Sequence, residues 1–233
     1  MTAAPDWSSL PRVLEPEAMD SPDEARAYDT MDHREVNRAF VADLLAAQRS
    51  AAVPLDAEVL DLGTGTAQIP IELCAQNPRA RVVAVDMAGE MLAVAAENLA
   101  RQGVGSRVTL ERADAKRLPH ASGRFTIVMS NSIVHHVPDP SAVLAEAVRV
   151  VARPGLIFVR DLARPRGLAQ LEWLVDTYAA GATEHQRQLF DASLHAALSV
   201  QEVRELVSQL GFATDGVSAT SDRHWTWAAA VTK

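Results

Sequence analysis

Two glycines and two acids in the first part of the chain are the residues best placed to bind a ligand. Gly63 and Gly65 follow a short apolar run that carries Asp61, and a second apolar run ends in Asp86. Glycine permits a positive φ angle and lets a ligand approach the backbone closely. A ribose-binding acid is expected about 20 residues beyond such a turn, and Asp86 lies 21 residues after Gly65. This spacing predicts a strand, a tight turn, a helix and a second strand that together bind a nucleoside.

The residues missing from the turn restrict which nucleoside can bind. A dinucleotide-binding turn has a third glycine that brings the helix close to the strand and seats the pyrophosphate, and this chain has Gln68 there. The Gly-Lys-Ser/Thr sequence of a phosphate-binding loop is also absent. Asp61 would repel a nearby pyrophosphate and suits a ligand that carries positive charge. The turn therefore favours a cationic nucleoside without phosphate.

Several motifs, in their order and spacing, resemble those of the class I S-adenosylmethionine-dependent methyltransferases. Residues 59–66, Val-Leu-Asp-Leu-Gly-Thr-Gly-Thr, are similar to motif I of that family. Residues 113–115, 125–131 and 151–161 resemble its adenine-edge motif, its fourth strand and its fifth strand. The resemblance covers roughly residues 55–161 and is weaker towards the C-terminus. It implies S-adenosylmethionine as the methyl donor, S-adenosylhomocysteine as the product, and no metal.

The resemblance also implies how the donor is held. Asp86 would bind the ribose hydroxyls, Met87 would flank the adenine ring, and Asp114 would accept a hydrogen bond from the adenine amino group. Asp61 would lie near the sulfonium centre. The donor-binding residues predicted in this way are Asp61, Gly63, Thr64, Gly65, Gln68, Asp86, Met87, Asp114, Ala115 and Asn131.

Alternating strand and helix patterns after residue 55 predict an α/β fold in one domain. They indicate a Rossmann-like, seven-stranded, mostly parallel sheet with helices on both faces, and the resemblance implies an antiparallel last strand. We expect a helical cap over residues 1–55 and a donor-binding core over 56–161. A helical lid over the acceptor is expected at 162–198, followed by a final helix and strand hairpin at 199–233.

Local signals predict several element boundaries. Residues 17–49 are charged and favour helices, and Asp139 is an expected N-cap whose helix ends at Pro154-Gly155. Residues 212–218 and 225–231 are expected to be the last two strands.

Two adjacent histidines and an acid are candidates for acid–base chemistry. His135 and His136 follow Asn131 by four and five residues, and imidazole exchanges protons near neutral pH. Asp161 ends the predicted fifth strand, which places it at the ligand-binding edge of the sheet. We predict these three as catalytic residues. Equally, the histidines could form only the loop before Asp139, and Asp161 could cap the next helix.

Side chains outside the core are predicted to contact the methyl acceptor. Tyr28 and Met31 could close over the methionine part of the donor. Arginine binds carboxylates through two parallel hydrogen bonds, so arginines in the C-terminal half suit an anionic or aromatic acceptor. The predicted acceptor-binding residues are Tyr28, Met31, His185, Arg187, Arg223 and Trp225. The alternative is that they are ordinary surface groups.

The composition argues against several kinds of partner. A net charge of −8, from 22 basic and 30 acidic residues, disfavours nucleic acid. No apolar run approaches the roughly 20 residues that span a bilayer, and the first residues lack the basic start of a signal peptide. The single Cys74 cannot form an internal disulfide. We expect a cytoplasmic monomer or homodimer that acts on a small molecule, without a nucleic-acid or membrane partner.

The predicted reaction is methyl transfer to a small organic acceptor by in-line displacement, with nitrogen, oxygen or carbon as the nucleophile. Residues 130–132, Ser-Asn-Ser, lack the acids of metal-dependent relatives and the aromatic residue that stacks on a flipped base. Two alternatives stay open: a non-catalytic regulator that binds S-adenosylmethionine, and a Rossmann-type NAD(P)-dependent oxidoreductase. Gln68 and Asp61 disfavour the oxidoreductase.

Overall fold

Short apolar runs form the central strands of the sheet, and most of their side chains are buried. The computed structural model describes residues 10–15 and 20–232. Its strands are β1 (Glu58–Leu62), β2 (Arg81–Asp86), β3 (Val108–Arg112), β4 (Phe125–Asn131), β5 (Val151–Leu162), β6 (Val217–Ala219) and β7 (His224–Val231). Such continuous apolar runs are typical of parallel strands that helices cover on both sides.

The strands form one sheet in the order β3-β2-β1-β4-β5-β7-β6. β7 is antiparallel to both of its neighbours, and the other neighbouring pairs are parallel. The prediction of a Rossmann-like, mostly parallel sheet with an antiparallel last strand is confirmed. β2 and β3 lie on one side of β1, and β4 lies on the other side, so the strand order reverses direction at β1. Ligands bind outside the carboxyl ends of the strands at such a reversal.

Eight α-helices accompany the sheet within the described residues. They are α1 (Pro22–Asp29), α2 (Arg34–Ser50), α3 (Gln68–Gln76), α4 (Gly89–Gln102), α5 (Pro140–Val150), α6 (Leu168–Tyr178), α7 (Glu184–Ala196) and α8 (Val200–Gln209). Short 3-10 turns lie at Val134–His136 and Thr214–Gly216. In this part of the chain, no helix combines the length and the apolar character needed to cross a bilayer.

Successive side chains of the strands enter two separate apolar clusters. Ile127 and Met129 of β4 pack in one cluster with residues of α2, α3 and α4, whereas Val128 packs in the other with residues of α5 and α8. Neighbouring side chains of a strand point to opposite faces. The helices therefore cover both faces of the sheet, as predicted.

The boundary between α5 and β5 differs from the sequence prediction. α5 ends at Val150 instead of continuing to the Pro-Gly pair, and β5 starts at the next residue and includes Pro154 and Gly155. Val151 already pairs with Phe125 of β4, and the register shift before the next pair, Ile127 with Leu156, accommodates Pro154 and Gly155. The local sequence carries no information about these partners.

The outer strands and the first helices also differ in detail. The strand expected at 212–218 is reduced to β6, because Thr214–Gly216 forms a 3-10 turn. The helix-favouring residues 17–49 contain α1 and α2, and residues 17–19 lie outside the described residues. α1 begins with a capping box in which the side chains of Ser21 and Glu24 each accept the other residue's amide.

The segment between β5 and α8 is helical, as expected. Leu171 and Leu174 of α6 pack against Leu194 of α7 and Leu162 of β5, which fixes both helices beyond the end of that strand. A capping box of Thr183 and Gln186 starts α7. That these helices form a lid over the acceptor stays a prediction, as do the domain boundaries near residues 55, 161 and 198.

Candidate active site

A cavity lies at the carboxyl ends of β1, β2 and β4, where the topology predicts a ligand. Its volume is about 790 Å³ including the open solvent at its mouth. Seven of the ten predicted donor-binding residues line it, and Asp61, Thr64 and Gln68 do not. The lining residues are Tyr28, Gly63, Gly65, Asp86, Met87, Ala88, Met91, Ala113, Asp114, Ala115, Lys116, Asn131, Ser132, Ile133, His136 and Val137.

The turn after β1 forms one wall of the cavity. The amides of Gly63 and Thr64 both donate to the carbonyl oxygen of Val85, each over 2.9 Å. The amide of Gly65 donates to Asp86 Oδ2 over 2.8 Å. The φ angles of the two glycines are +69° and +54°, in the left-handed region that favours glycine. These bonds hold the turn against the end of β2 and leave its backbone open to a ligand.

Asp86, at the tip of β2, is the acid nearest to this turn. Its Oδ1 accepts the amide of Ala88 over 2.9 Å. Burial raises the pKa of Asp86 above its ordinary value, although the amides of Ala88, Gly65 and Met87 oppose the shift. A carboxylate has about four acceptor positions, so the two measured amide bonds leave capacity for ligand hydroxyls.

Four buried polar atoms near the turn have no hydrogen-bond partner within the described residues. They are Asp61 Oδ2, Thr64 Oγ1, Thr66 Oγ1 and Asn131 Oδ1. Burial raises the pKa of Asp61 to about 7; the nearby Thr64 hydroxyl opposes this shift and the charge of Asp86 adds to it. A buried acceptor without a donor costs about 1–3 kcal/mol. A ligand that brings cationic or donating groups would remove part of that cost.

The opposite end of the cavity is mostly apolar and carries one acid. Met87, Ala113 and Ala115 line it beside Asp114. Asp114 Oδ1 accepts the amide of Lys116 over 2.9 Å and lies 3.1 Å from its Nζ. Burial opposes ionisation of Asp114, but the bonds to Lys116 outweigh it and lower the pKa of the carboxyl group. This end suits a flat apolar ring with a polar edge.

The first two helices close one side of the cavity. Tyr28 of α1 lines it, and burial raises the pKa of its hydroxyl to about 12. Gln68 does not reach the cavity, because its Nε2 donates to Asp29 Oδ1 and its Oε1 accepts from Asn37 Nδ2, each over 3.2 Å. The residue at the third-glycine position therefore joins α1 and α2 to α3.

The three predicted catalytic residues come together. Asp161 Oδ2 accepts the amides of Val134 and His135 over 2.6 and 3.2 Å, and its Oδ1 lies 2.5 Å from His135 Nδ1. Burial disfavours charge on both side chains, but their attraction outweighs it. The pKa of His135 is raised and that of Asp161 is lowered. His136 lines the cavity, with this buried pair behind it, and Asp161 does not cap α6, whose N-cap is Gly167.

Glu15 is a site residue that sequence reasoning missed. Its side chain is 8% exposed, and Oε1 lies 3.1 Å from His136 Nδ1 and 3.4 Å from His135 Nε2. The segment that carries it, residues 10–15, is not helical. A single acid about 120 residues before the histidines, with no motif around it, offers no signal of this contact.

Of the six residues predicted to contact the acceptor, only Tyr28 lines the cavity. Met31 follows α1, and its amide donates to the carbonyl oxygen of Tyr28. Trp225 is 0% exposed and packs in the core cluster with α5 and α8. An acceptor role for Trp225 has no support from its position.

The other predicted acceptor residues lie on the outer helices and the last hairpin. His185 is exposed on α7. Arg187 pairs with Asp176 across α6 and α7 over 2.6 Å, and the guanidinium of Arg223 lies 3.4 Å from the ring centroid of Tyr178. None of the three lines the described cavity, and their acceptor roles stay predictions.

The sheet order, the glycine turn and the cavity beside it define a Rossmann-like α/β protein with a nucleoside-type crevice. Residues 59–155 match the family model described as a methyltransferase domain. A solved S-adenosylmethionine-dependent methyltransferase from Aquifex aeolicus shares the fold, with a TM-score of 0.65 and 16% identity over 91% of this chain and 99% of that one.

Curated relatives point the same way. A malonyl-[acyl-carrier protein] O-methyltransferase from Laribacter hongkongensis is 32% identical over 81% of this chain and 62% of its own length. A ubiquinone/menaquinone biosynthesis C-methyltransferase from Desulfotalea psychrophila is 36% identical over 49% of this chain and 45% of its own length. The chain thus spans less than two thirds of either relative. Residues 59–155 thus match a methyltransferase domain, and the relatives named above are methyltransferases.

Proposed function

We propose that this protein transfers a methyl group from S-adenosylmethionine to a small organic acceptor. The observation that carries the proposal is the open glycine turn beside Asp86, with the unpartnered carboxylate oxygen of Asp61 nearby. A nucleoside with ribose hydroxyls and positive charge, and without phosphate, complements both acids. The named relatives, an O-methyltransferase and a C-methyltransferase, support the reaction class.

In this proposal the donor lies along the carboxyl ends of β1 and β2. Asp86 accepts hydrogen bonds from the ribose hydroxyls, while Met87 and the alanines of the apolar end flank the adenine ring. Asp114 accepts from the adenine amino group. Asp61 favours the cationic donor over its neutral product, because opposite charges attract strongly where water is excluded.

The reaction is a displacement at a carbon that the sulfonium already activates. The lone pair of the acceptor forms a bond to the methyl carbon as the carbon–sulfur bond breaks, and that electron pair stays on sulfur. The protein mainly holds donor and acceptor in line, about 3–3.5 Å apart, and excludes water. His136 lines the cavity and is the residue we propose as the base that takes a proton from the acceptor. His135 and Asp161 hold the short turn that carries it.

The proposal allows oxygen, nitrogen or carbon as the acceptor atom that is methylated. The relatives differ in the atom that they methylate, as their names state. The cytoplasmic location and the monomeric or homodimeric state predicted from the sequence stay predictions.

The substitution Asp86→Ala tests donor binding. Each charge-assisted hydrogen bond contributes about 1.5–3 kcal/mol, so the loss of two should weaken S-adenosylhomocysteine binding at least about 100-fold. Isothermal titration calorimetry measures the affinity, and circular dichroism checks the fold. Asp56→Ala, at an exposed position before β1, is the matched control and should bind normally. Unchanged affinity in Asp86→Ala would contradict the proposed donor site.

Incubation with methyl-labelled S-adenosylmethionine and a cell extract tests the reaction itself. Mass spectrometry should find a labelled small molecule that is absent when Asp86→Ala replaces the wild-type protein. Donor binding without any labelled product would favour the non-catalytic regulator instead.

A further inference from the structure

Residues 10–15, which we call the N-terminal strap, cross the 3-10 turn at Val134–His136 and the end of α7. The guanidinium of Arg12 donates to the carbonyl oxygens of Ala196 over 2.7 Å, Val137 over 2.9 Å and His135 over 3.2 Å. The amide of Val13 donates to the carbonyl oxygen of His195 over 3.1 Å. The strap is therefore bound at several points to the segment that carries the two histidines.

These contacts bring the carboxylate of Glu15 to the histidine pair. Glu15 Oε1 lies 3.1 Å from His136 Nδ1 and 3.4 Å from His135 Nε2, and Oε2 accepts the hydroxyl of Ser193 over 3.2 Å. The 3.1 Å contact has hydrogen-bond length, but its alignment is too poor for a well-formed bond, since Oε1 has no such partner within the described residues. Hydrogen bonds of catalytic groups are often poorly aligned without ligand and tighten in the complex.

The charges around the pair favour an ionised Glu15. Burial opposes ionisation, but the close contact with His136 and its charge, the charge of His135 and the Ser193 hydroxyl outweigh it and lower the pKa of Glu15. His135 lies between the carboxylates of Glu15 and Asp161 and is favoured as a cation. Its charge offsets these two buried acids. A carboxylate beside His136 Nδ1 is then an acceptor for the proton on that nitrogen.

We propose that Glu15 is the positioning residue of the proposed methyl transfer. It accepts the Nδ1 proton of His136 and so leaves Nε2, the other ring nitrogen, as the base for an acceptor in the cavity. The inference rests on the proposed function and narrows its substrate class to acceptors that carry a hydroxyl group. A phenol or enol must lose its proton to become a strong nucleophile, whereas a carboxylate or a neutral amine already presents a lone pair.

For a hydroxyl acceptor, each proton and electron pair has a defined destination. The hydroxyl proton moves to His136 Nε2, the oxygen lone pair or the ring carbon that it activates attacks the methyl carbon, and the carbon–sulfur pair stays on sulfur. If the ring carbon attacks, its own hydrogen then leaves to water as a proton and the carbon–hydrogen electron pair restores the aromatic ring. The resulting imidazolium lies against the Glu15 carboxylate, which stabilises it until the proton leaves to water. The other charged groups that face His136 are Asp161 from β5 and Asp86 from β2, and the ring of His135 lies beside it with the ring centroids 4.1 Å apart. Arg12 of the strap faces His135.

The tautomer of His136 tests the inference without an acceptor. Imidazole nitrogen-15 spectra of the wild-type protein saturated with S-adenosylhomocysteine should show His136 neutral at high pH with its proton on Nδ1. In Glu15→Gln, whose side chain can donate to Nδ1, the Nε2-protonated form should gain population. A wild-type spectrum with the proton on Nε2 would overturn the inference even if the variant fails to fold.

Turnover supplies the second readout, with a panel of phenols, hydroxyquinones, amines and carboxylic acids as acceptors. General bases contribute about 10²–10⁴-fold, so Glu15→Gln should lower methylation of the hydroxyl compounds by about 10- to 100-fold, with S-adenosylhomocysteine affinity retained. Glu172→Gln, an exposed position on α6, is the matched control and should keep wild-type turnover. Methylation restricted to amines or carboxylates, or turnover unchanged in Glu15→Gln, would overturn the inference.

Donor binding distinguishes failure of this inference from failure of the proposed function. Wild-type protein that does not bind S-adenosylhomocysteine would overturn both, whereas normal donor binding with an Nε2-protonated His136 would overturn this inference alone. One carboxylate oxygen of Glu15 and one ring nitrogen each of His135 and His136 lie within 4.8 Å of one another, close enough to bind a metal ion together. Elemental analysis should therefore accompany the spectra. Stoichiometric zinc in the purified protein would overturn the inference, because a metal would take the Nδ1 position.

Discussion

Asp86 lines the crevice and Asp61 lies just before the turn that forms its wall, and their carboxylates have different surroundings. Asp86 accepts two backbone amides, whereas Asp61 Oδ2 has no partner within the described residues. Burial of Asp61 outweighs the opposing interaction with the Thr64 hydroxyl and raises the pKa of Asp61 to about 7. Asp61 is therefore protonated below neutral pH in the protein without a donor. It must lose that proton to attract a cationic donor.

We expect donor affinity to rise with pH up to about 7 because of Asp61. If binding requires the carboxylate, affinity should change by at most about tenfold per pH unit below that value. Titration calorimetry with S-adenosylmethionine at pH 5.5–8.5 measures this dependence. In Asp61→Asn the slope should largely disappear and affinity above pH 7 should fall.

The raised pKa of Asp61 affects stability in the opposite direction: the free energy of unfolding falls as the pH rises. The folded pKa of Asp61 is raised above the unfolded value, so the folded protein binds the extra proton and loses stability from this group as pH rises from about 4 to about 7. Asp61→Asn should therefore unfold at a higher denaturant concentration than the wild type at pH 8 without ligand. A variant less stable at pH 8 than the wild type would contradict the unpaired, buried carboxylate.

At the scale of single residues, the sequence predicted what local spacing encodes. Gly65 and Asp86 lie 21 residues apart and are hydrogen-bonded as that spacing requires. Glu15 was missed because its partners, His135 and His136, are distant in sequence and no periodic pattern connects them. The acceptor roles given to Arg187 and Arg223 rested on residue type alone, and both side chains have protein partners away from the cavity.

At the scale of elements, the turn after β1 depends on close packing with the segment after β4. A Cβ on Gly63 would overlap the side chain of Ile133, and the φ angle of +69° also disfavours a side chain. Both segments line the crevice, so their contact determines its shape.

Gly63→Ala should therefore destabilise the protein and distort the crevice. The left-handed conformation costs roughly 1–2 kcal/mol and overpacking about 1–3 kcal/mol, which gives about 2–5 kcal/mol in the free energy of unfolding. Denaturant titration measures it. Gly105→Ala is the matched control, because Gly105 has no atoms within 4 Å of an added Cβ and no positive φ. Equal stability of the two variants would contradict the close contact.

Elements were predictable where periodicity and caps agree, and not where distant pairing decides. The expected N-cap Asp139 marked the start of α5 correctly. The Pro-Gly pair at 154–155 misplaced the end of α5, because Val151 pairs with Phe125 of β4 and the Pro-Gly pair lies within the register shift that follows.

At the scale of the whole molecule, the crevice joins elements from much of the chain, so a ligand that fills it should stabilise the folded state. S-adenosylhomocysteine at 100 times its dissociation constant should add about 2.7 kcal/mol. For a chain of this size that corresponds to a rise of about 5–10 °C in Tm. Calorimetry or thermal-shift fluorescence measures it, with NAD⁺ at the same concentration as the control. A larger rise with NAD⁺ would favour the oxidoreductase alternative.

The N-terminal strap is synthesised long before some of the residues that it binds. Arg12 leaves the ribosome early, but its partner Ala196 is 184 residues further along the chain. A nascent chain that has released β1 to β4 already contains the glycine turn and Asp86. Arg12 can bind the carbonyl oxygens of His135 and Val137 soon afterwards, but the strap's contacts with His195 and Ala196 form only after α7 emerges. The proton-handling half of the site is therefore completed after the nucleoside crevice, late in translation.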